Sequence, residues 1–141
     1  MNNRNKAISN MKVFVVEDSP EVRNRLCAMI VDVPGARVVG SADGEESALK
    51  GIAETLPDLV TLDLHLAGGS GMEVLRELKA TQPEVRVVVL TALDHPKYRE
   101  RLLECGADHY LVKTRDIAIL PVLLAEMAAM IDRGQIKKEA A

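Results

Sequence analysis

The 141-residue sequence predicts one α/β domain, a doubly wound parallel sheet of five strands that forms the middle layer of a three-layer sandwich. Short apolar runs alternate with longer amphipathic stretches five times along the chain. The short runs are rich in valine and leucine and show little polar alternation, which is typical of strands covered on both faces. Strands and helices in strict alternation imply parallel strands joined by crossover helices.

The five short runs are the predicted strands, and they span residues 12–16, 37–41, 59–63, 85–91 and 109–113. Apolar residues at three- and four-residue spacing predict a helix after each strand. The last helix needs a separate argument, because Pro121 would remove an intrahelical hydrogen bond if the helix began at Asp116. We therefore expect a turn over 114–118 and a helix from 119 or 120 to about 131, ended by Gly134.

Cap residues mark the beginnings of three helices. Ser19 followed by Pro20 is a cap and first-turn pair, since proline has no amide hydrogen to leave unsatisfied there. Two other pairs have the spacing of capping boxes, Asp43 with Glu46 and Ser70 with Glu73.

Composition excludes several classes of function. Only three residues are aromatic, too few for the stacking platforms of a single-strand nucleic-acid or sugar binder. The net charge of −3 argues against a basic duplex-binding surface, so we expect no direct nucleic-acid binding by this chain. The longest apolar run, 117–130, is interrupted and is shorter than the roughly 20 residues of a membrane span. Residues 1–10 are polar and lack a secretory signal, so we expect a cytoplasmic protein without membrane contact.

Polar residues stand where the predicted strands end. Glu17 and Asp18 follow the first strand, the third strand ends on Asp63, the fourth on Thr91 and the fifth on Lys113. The carboxyl ends of parallel strands meet at one edge of the sheet, and ligands bind there. We therefore expect these polar residues to converge.

Such a set suits phosphoryl transfer to a carboxylate. Three crowded carboxylates repel one another, and a hard divalent cation such as Mg²⁺ relieves that repulsion. A lysine and a threonine hydroxyl supply a positive charge and a hydrogen-bond donor, and positioning with charge neutralisation carries most of this catalysis. Asp63 is the best candidate nucleophile, because it lies on the central strand of the set and a loop with three glycines, 64–71, follows it.

These residues resemble the receiver domain of bacterial two-component response regulators, most closely its single-domain, chemotaxis-regulator-like form. The resemblance covers residues 11–133 and implies a flavodoxin-like fold, with 1–10 and 134–141 as flexible ends. It rests on an ordered set of motifs: the acidic pair Glu17-Asp18, the phosphoacceptor loop 63–71, Thr91-Ala92, the aromatic Tyr110 and Lys113.

The resemblance implies that Asp63 accepts a phosphoryl group from a sensor histidine kinase or a phosphotransfer protein. Asp18 and Asp63 would bind Mg²⁺ directly, with the backbone carbonyl of His65 as a third ligand and Glu17 acting through water. The protein would then be a signalling switch and not an enzyme, catalysing only its own phosphoryl transfer and autodephosphorylation. We also consider that His65, two residues after the acceptor, tunes the phosphoryl lifetime.

The resemblance also implies how the signal spreads. Lys113 and Thr91 would contact the phosphoryl oxygens, and movement of Thr91 would leave room for Tyr110 to turn inward. This would reshape the surface of the fourth helix, the fifth strand and the last helix, where a downstream protein effector would bind. A surplus leucine on the last helix could serve a homodimer.

Three positions depart from the family pattern. Ala67 stands where proline is common in the phosphoacceptor loop, which should loosen that loop. Thr114 stands where proline often follows the lysine, so the cis peptide bond common there is not expected, because a non-proline cis bond costs about 3 kcal/mol. Glu17 stands in for an aspartate, a substitution that many relatives share.

Two other functions stay open. A pseudo-receiver would keep the fold without phosphorylation, but Asp63 and its polar neighbours are retained. A phosphatase using Asp63 as nucleophile would commonly carry an aspartate where His65 stands, and no cap domain fits the chain. We also expect no DNA-binding or enzymatic output domain within these 141 residues. We expect a protein contact as output if the chain is complete, whereas in an excised fragment the effector would be missing.

Overall fold

The computed structural model describes residues 10–92, 94–132 and 134. Its elements alternate in the order β1 (Met11–Val16), α1 (Pro20–Val31), β2 (Ala36–Ala42), α2 (Glu45–Thr55), β3 (Leu59–Asp63), α3 (Gly71–Thr81), β4 (Arg86–Thr91), α4 (Pro96–Glu104), β5 (His109–Val112), α5 (Lys113–Asp116) and α6 (Ile119–Asp132). The strands pair in parallel in the order β2-β1-β3-β4-β5, which confirms the predicted sheet. The predicted flexible ends lie outside the described residues, apart from Asn10 and Gly134.

Two apolar layers cover the sheet. Alternate strand residues pack on one face against α2, α3 and α4, and on the other against α1 and α6. All five residues of β3 are buried, because β3 lies in the middle of the sheet with helices on both sides. This explains why β3 is mainly aliphatic and why even its polar residues, Thr61 and Asp63, are buried. Among the described residues, no helix is both long and apolar enough to cross a membrane.

The end of β5 differs from the prediction. The strand ends at Val112, and Lys113 begins the short helix α5, which replaces the first part of the predicted turn. Asp116 stabilises this change of direction, because its Oδ2 accepts a hydrogen bond from the Val112 amide at 2.9 Å. No cis peptide bond occurs in the described part of the chain, in agreement with Thr114 in place of proline.

The last helix begins at Ile119, as Pro121 predicted, and Gly134 follows its end with a φ of +75°. The expected surplus leucine is not present on α6. Leu120 and Leu124 are buried and Leu123 packs against the core, so the large exposed apolar residues of this helix are Ile119 and Val122.

Two of the three cap predictions hold at least in part. Ser19 caps α1, since its Oγ accepts a hydrogen bond from the Val22 amide at 3.3 Å. Ser70 caps α3 by accepting from the Met72 amide at 3.1 Å. The reciprocal half of that capping box is absent, because the Glu73 carboxylate pairs with an arginine one turn later, at 2.6 Å.

The capping box predicted at Asp43 and Glu46 is wrong. The N-cap of α2 is Gly44, which has no side chain to accept a hydrogen bond. The first helical amide, that of Glu45, instead donates to the carbonyl of Gly68 at 2.8 Å. A distant loop therefore satisfies this helix end.

The ring of Phe14 occupies a slot that two glycines leave open. The β1–β2 register shifts between Val13 and Phe14, which places Phe14 opposite Gly40. A Cβ atom on Gly40 would lie 2.8 Å from Cε2 of Phe14, and one on Gly51 of α2 would lie 2.6 Å from its Cζ. Both distances are shorter than real Cβ contacts, so the largest core side chain depends on these glycines.

The Gly51→Ala variant tests this slot. In an exposed helix, this change would raise the free energy of unfolding by about 0.5–1 kcal/mol. Here we expect a loss of roughly 1 kcal/mol in urea denaturation, since overpacking a core costs about 1–3 kcal/mol. In a Phe14→Leu background the smaller side chain should remove that loss. A stabilising effect of Gly51→Ala in the wild-type background would contradict this account of the packing.

Candidate functional site

Three carboxylates meet at the carboxyl edge of the sheet. Glu17 and Asp63 are almost completely buried, with exposures of 1% and 4%, and Asp18 is half-buried. One oxygen of each lies within 4.8 Å of the others. The backbone amide of Ser19 donates to the Glu17 carboxylate at 3.2 Å, and the Arg23 guanidinium donates to the Glu17 carbonyl at 2.8 Å. The first turn of α1 therefore fixes the acidic pair that follows β1.

Lys113 is the cation of this cluster. Its Nζ lies 2.8 Å from Oε1 of Glu17 and 3.3 Å from Oδ2 of Asp63. Burial raises the pKa of Glu17, and the charge of Asp63 adds to this effect, while the Lys113 ammonium opposes it. Burial lowers the pKa of Lys113, but the hydrogen bond to Glu17 and the charge of Asp63 outweigh it, so its pKa is raised. Lys113 therefore stays protonated at neutral pH.

The donor set fits a hard divalent cation. Three carboxylates and one ammonium leave two negative charges uncompensated in a mostly buried site. All the candidate ligand atoms are oxygens, which Mg²⁺ prefers, and Mg²⁺ binds through one or two carboxylates while keeping several waters. The half-buried Asp18 leaves one side of the cluster open to solvent. Glu17, Asp18 and Asp63 could therefore hold Mg²⁺.

The loop after Asp63 folds back closely on the strand end. A Cβ atom on Gly71 would lie 2.3 Å from the carbonyl oxygen of Asp63, so only glycine fits where α3 begins. The amide of His65 donates to Oδ1 of Asp63 at 3.1 Å, and His65 pairs with Ser70 in an isolated antiparallel bridge. The His65 side chain is exposed to solvent. The loop thus orients the Asp63 carboxylate through the backbone.

Thr91 and Tyr110 lie on β4 and β5, the two strands that follow β3 in the sheet order. Thr91 is fully buried at the end of β4, next to β3, and pairs with Val112 of β5. Tyr110 is also buried, at 9% exposure, and the Arg99 guanidinium of α4 lies over its ring at 5.1 Å from the centroid. Such a contact is a cation–π interaction. The ring of Tyr110 is therefore already turned inward in this structure, beneath α4.

An ionic network between α4 and α5 was missed by the sequence analysis. Asp94, in the segment before α4, contacts Arg115 of α5 and lies 3.5 Å from Arg99. Arg115 also bonds Asp116 at 2.9 Å, and this arginine first and the Val112 amide second lower the pKa of Asp116 to about 2. In the sequence, only the run of charged residues over 97–101 pointed to ionic contacts at α4. Asp94 and Arg115 lie 21 residues apart along the chain, so this contact could not be predicted from spacing.

Comparison with known proteins places the chain in a family. The response regulator receiver domain family matches residues 13–124. The response regulator GacA of Pseudomonas aeruginosa is 39% identical over 103 residues, which are 73% of this chain and 48% of GacA. The chain spans about half the length of the curated relatives it matches.

Solved structures show the same likeness. A two-component response regulator of the LuxR family from Aurantimonas sp. SI85-9A1 has 29% identity and a TM-score of 0.76, over 89% of this chain and 87% of that one. The BeF3-activated N-terminal receiver domain of Klebsiella pneumoniae RstA has 34% identity and a TM-score of 0.74. This second likeness covers 83% of this chain and 97% of that one.

Removing the Lys113 ammonium tests its role in the cluster. The Lys113→Met variant leaves Glu17 and Asp63 buried beside each other without a cation. Breaking a fully buried pair costs about 3–5 kcal/mol, and because the lysine is partly exposed we expect a loss of about 1–3 kcal/mol of unfolding free energy. Urea denaturation in metal-free buffer measures it. Lys50→Met, which changes an exposed lysine of α2, is the control, and equal losses in the two variants would contradict the account.

Proposed function

The chain belongs to the response regulator receiver domain family, and on that premise we propose that it is a phosphorylation-dependent switch with Asp63 as phosphoacceptor. The observation that carries the proposal is the position of Asp63. Its carboxylate is buried at the carboxyl edge of the sheet, 3.3 Å from the Lys113 ammonium and within reach of two other carboxylates. A buried aspartate with a partner cation and a glycine-containing loop after it is suited to nucleophilic attack on phosphorus.

The phosphoryl donor would be the phosphohistidine of a sensor histidine kinase or phosphotransfer protein. One Asp63 oxygen forms the new P–O bond as the P–N bond breaks, and the leaving imidazole takes a proton from solvent. The His65 amide holds Oδ1 of Asp63 and Lys113 contacts Oδ2. The ammonium and the Thr91 hydroxyl then neutralise and hold the incoming phosphoryl oxygens.

Glu17, Asp18 and Asp63 would hold Mg²⁺ in this proposal, with Asp18 and Asp63 as direct ligands together with the His65 carbonyl. The bound ion supplies charge neutralisation for the carboxylate and the phosphoryl oxygens. Glu17 acts through water, because its own carboxylate is engaged by Lys113 and by the Ser19 amide.

The output would begin at Thr91. Movement of its hydroxyl toward a phosphorylated Asp63 changes the space beneath α4, which Tyr110 occupies in this structure. Arg99 joins Tyr110 to the ionic network of Asp94 and Arg115, so a change at the ring would reach both α4 and α5. We propose the surface of α4, β5, α5 and α6 as the binding surface for a downstream protein effector.

The proposed receiver unit is residues 11–133. A phosphodonor protein and a protein effector are its proposed partners, without direct binding of nucleic acid by this chain. The exposed Ile119 and Val122 of α6 are the apolar contacts that a homodimer of the chain would use. Autodephosphorylation by water at Asp63 would end the signal.

Incubation with Mg²⁺ and acetyl phosphate tests the phosphoacceptor. We expect one acid-labile phosphoryl group per chain by intact mass, lost in Asp63→Asn and on chelation of Mg²⁺. Asp32→Asn, at the exposed C-cap of α1, is the matched control and should be labelled like wild type. No incorporation would favour a phosphorylation-independent pseudo-receiver. Rapid release of phosphate over many turnovers would favour a hydrolase.

The phosphoryl lifetime tests the role of His65. His65 is exposed and lies two residues after Asp63, where we propose that its side chain flanks the attacking water, so His65→Ala should open the site and shorten the lifetime of the aspartyl phosphate. We expect a change of roughly threefold to tenfold, from weaker exclusion of water. Decay of phosphoprotein after removal of the donor measures it. An unchanged rate would show that His65 is only a solvated loop residue.

A further inference from the structure

The start of α2 and the phosphoacceptor loop hold each other. The Glu45 amide donates to the carbonyl of Gly68 at 2.8 Å, and Gly44 pairs with Gly68 in an isolated parallel bridge. In return, Oε1 of Glu45 accepts a hydrogen bond from the Ser70 amide at 3.0 Å. The glycine N-cap of α2 offers no side-chain acceptor, and the Gly68 carbonyl accepts a hydrogen bond from the helix end instead. The loop is in turn held at two residues, Gly68 and Ser70.

The loop conformation fits this contact closely. Gly69 has a φ of +112°, and a Cβ atom there would lie 2.4 Å from Oε1 of Glu45. Any other residue would both strain the backbone and push the carboxylate away from Ser70. The glycine thus lets the loop pass directly over the Glu45 side chain.

The contact between Glu45 and the loop is connected to Asp63 through two intervening residues, Ser70 and His65. Glu45 holds Ser70, Ser70 pairs with His65, and the His65 amide holds Oδ1 of Asp63. We propose that Glu45 is a positioning residue, which through Ser70 fixes the Asp63 carboxylate and the His65 backbone. This inference rests on the proposed function, because it assigns Glu45 a part in the Mg²⁺ and phosphoryl chemistry of that same site.

The contact also accounts for the departure at Ala67. Without a proline, the loop has more backbone conformations in the unfolded chain, and folding must restrict them. The two hydrogen bonds between Glu45 and the loop restrict its backbone by a tertiary contact instead. Glu45 therefore supplies by a tertiary contact the rigidity that a proline would supply locally.

Glu45→Ala tests the proposal in the full chain, and Glu46→Ala is its matched control. Both glutamates stand in the first turn of α2 and share its helix dipole, but Glu46 is exposed and no contact of it with the loop is described. Isothermal titration with MgCl₂ should show binding weakened about tenfold in Glu45→Ala, as for other residues that orient a metal ligand. Amides of residues 65–70 should exchange hydrogen faster. Glu46→Ala should match wild type in both measurements.

Two more variants make the result decisive. Glu45→Gln keeps an oxygen that can accept from Ser70 and should restore most of the Mg²⁺ affinity. Glu45→Asp keeps the charge but shortens the reach, and should behave like Glu45→Ala even if the alanine variant folds poorly. Equal Mg²⁺ affinity and loop exchange in Glu45→Ala, Glu45→Asp and Glu46→Ala would overturn the positioning role alone. A wild-type chain that neither binds Mg²⁺ nor takes up a phosphoryl group would overturn the proposed function, and this inference with it.

Discussion

The contact of one ammonium with two buried carboxylates is the interaction on which the site depends. Lys113 follows the edge strand β5, yet it reaches Glu17 after β1 and Asp63 at the end of β3. Without it, the strand order would bring buried negative charges together with nothing to offset them. With it, the excess is reduced to what one divalent cation can neutralise. The same residue therefore offsets the repulsion that the sheet creates and would hold Asp63 for the proposed phosphoryl transfer.

Two sets of contacts extend from this carboxylate cluster. On one side, the loop after Asp63 runs to α2, where Glu45 holds it. On the other side, Thr91 lies beside Asp63's strand and leads to Tyr110, Arg99 and the charges between α4 and α5. The first set of contacts fixes the Asp63 carboxylate, which we propose as the phosphoacceptor, and the second set would respond to a change in its charge. The contacts that hold Asp63 and the contacts that would change on phosphorylation therefore lie on different sides of the same sheet edge.

Much of this could be predicted from local patterns. Apolar runs without alternation predict covered strands, and the polar residues that end them must converge once the strands are parallel. The predictions that were wrong concern positions where a tertiary contact decides the local structure. The capping box at Asp43 and Glu46 has the right spacing, but the loop at Gly68 already satisfies the α2 amide, so the helix begins two residues later than the aspartate. Lys113 was predicted as the last residue of the fifth strand. The strand ends one residue earlier, because the Asp116 carboxylate accepts a hydrogen bond from the Val112 amide and the chain turns into α5. Neither partner is visible from spacing alone.

We propose above all that the charge at Asp63 is coupled to the surface around α4 and β5. Amide chemical shifts of the labelled protein, with Mg²⁺ alone and after addition of beryllofluoride as a phosphoryl mimic, test it most directly. We expect large shifts in the phosphoacceptor loop and in Thr91, continuing through α4 and β5 to Arg115, and small shifts in α1 beyond its first turn. Shifts confined to the loop and the three carboxylates would contradict it, because the site would then bind its ligand without changing the surface.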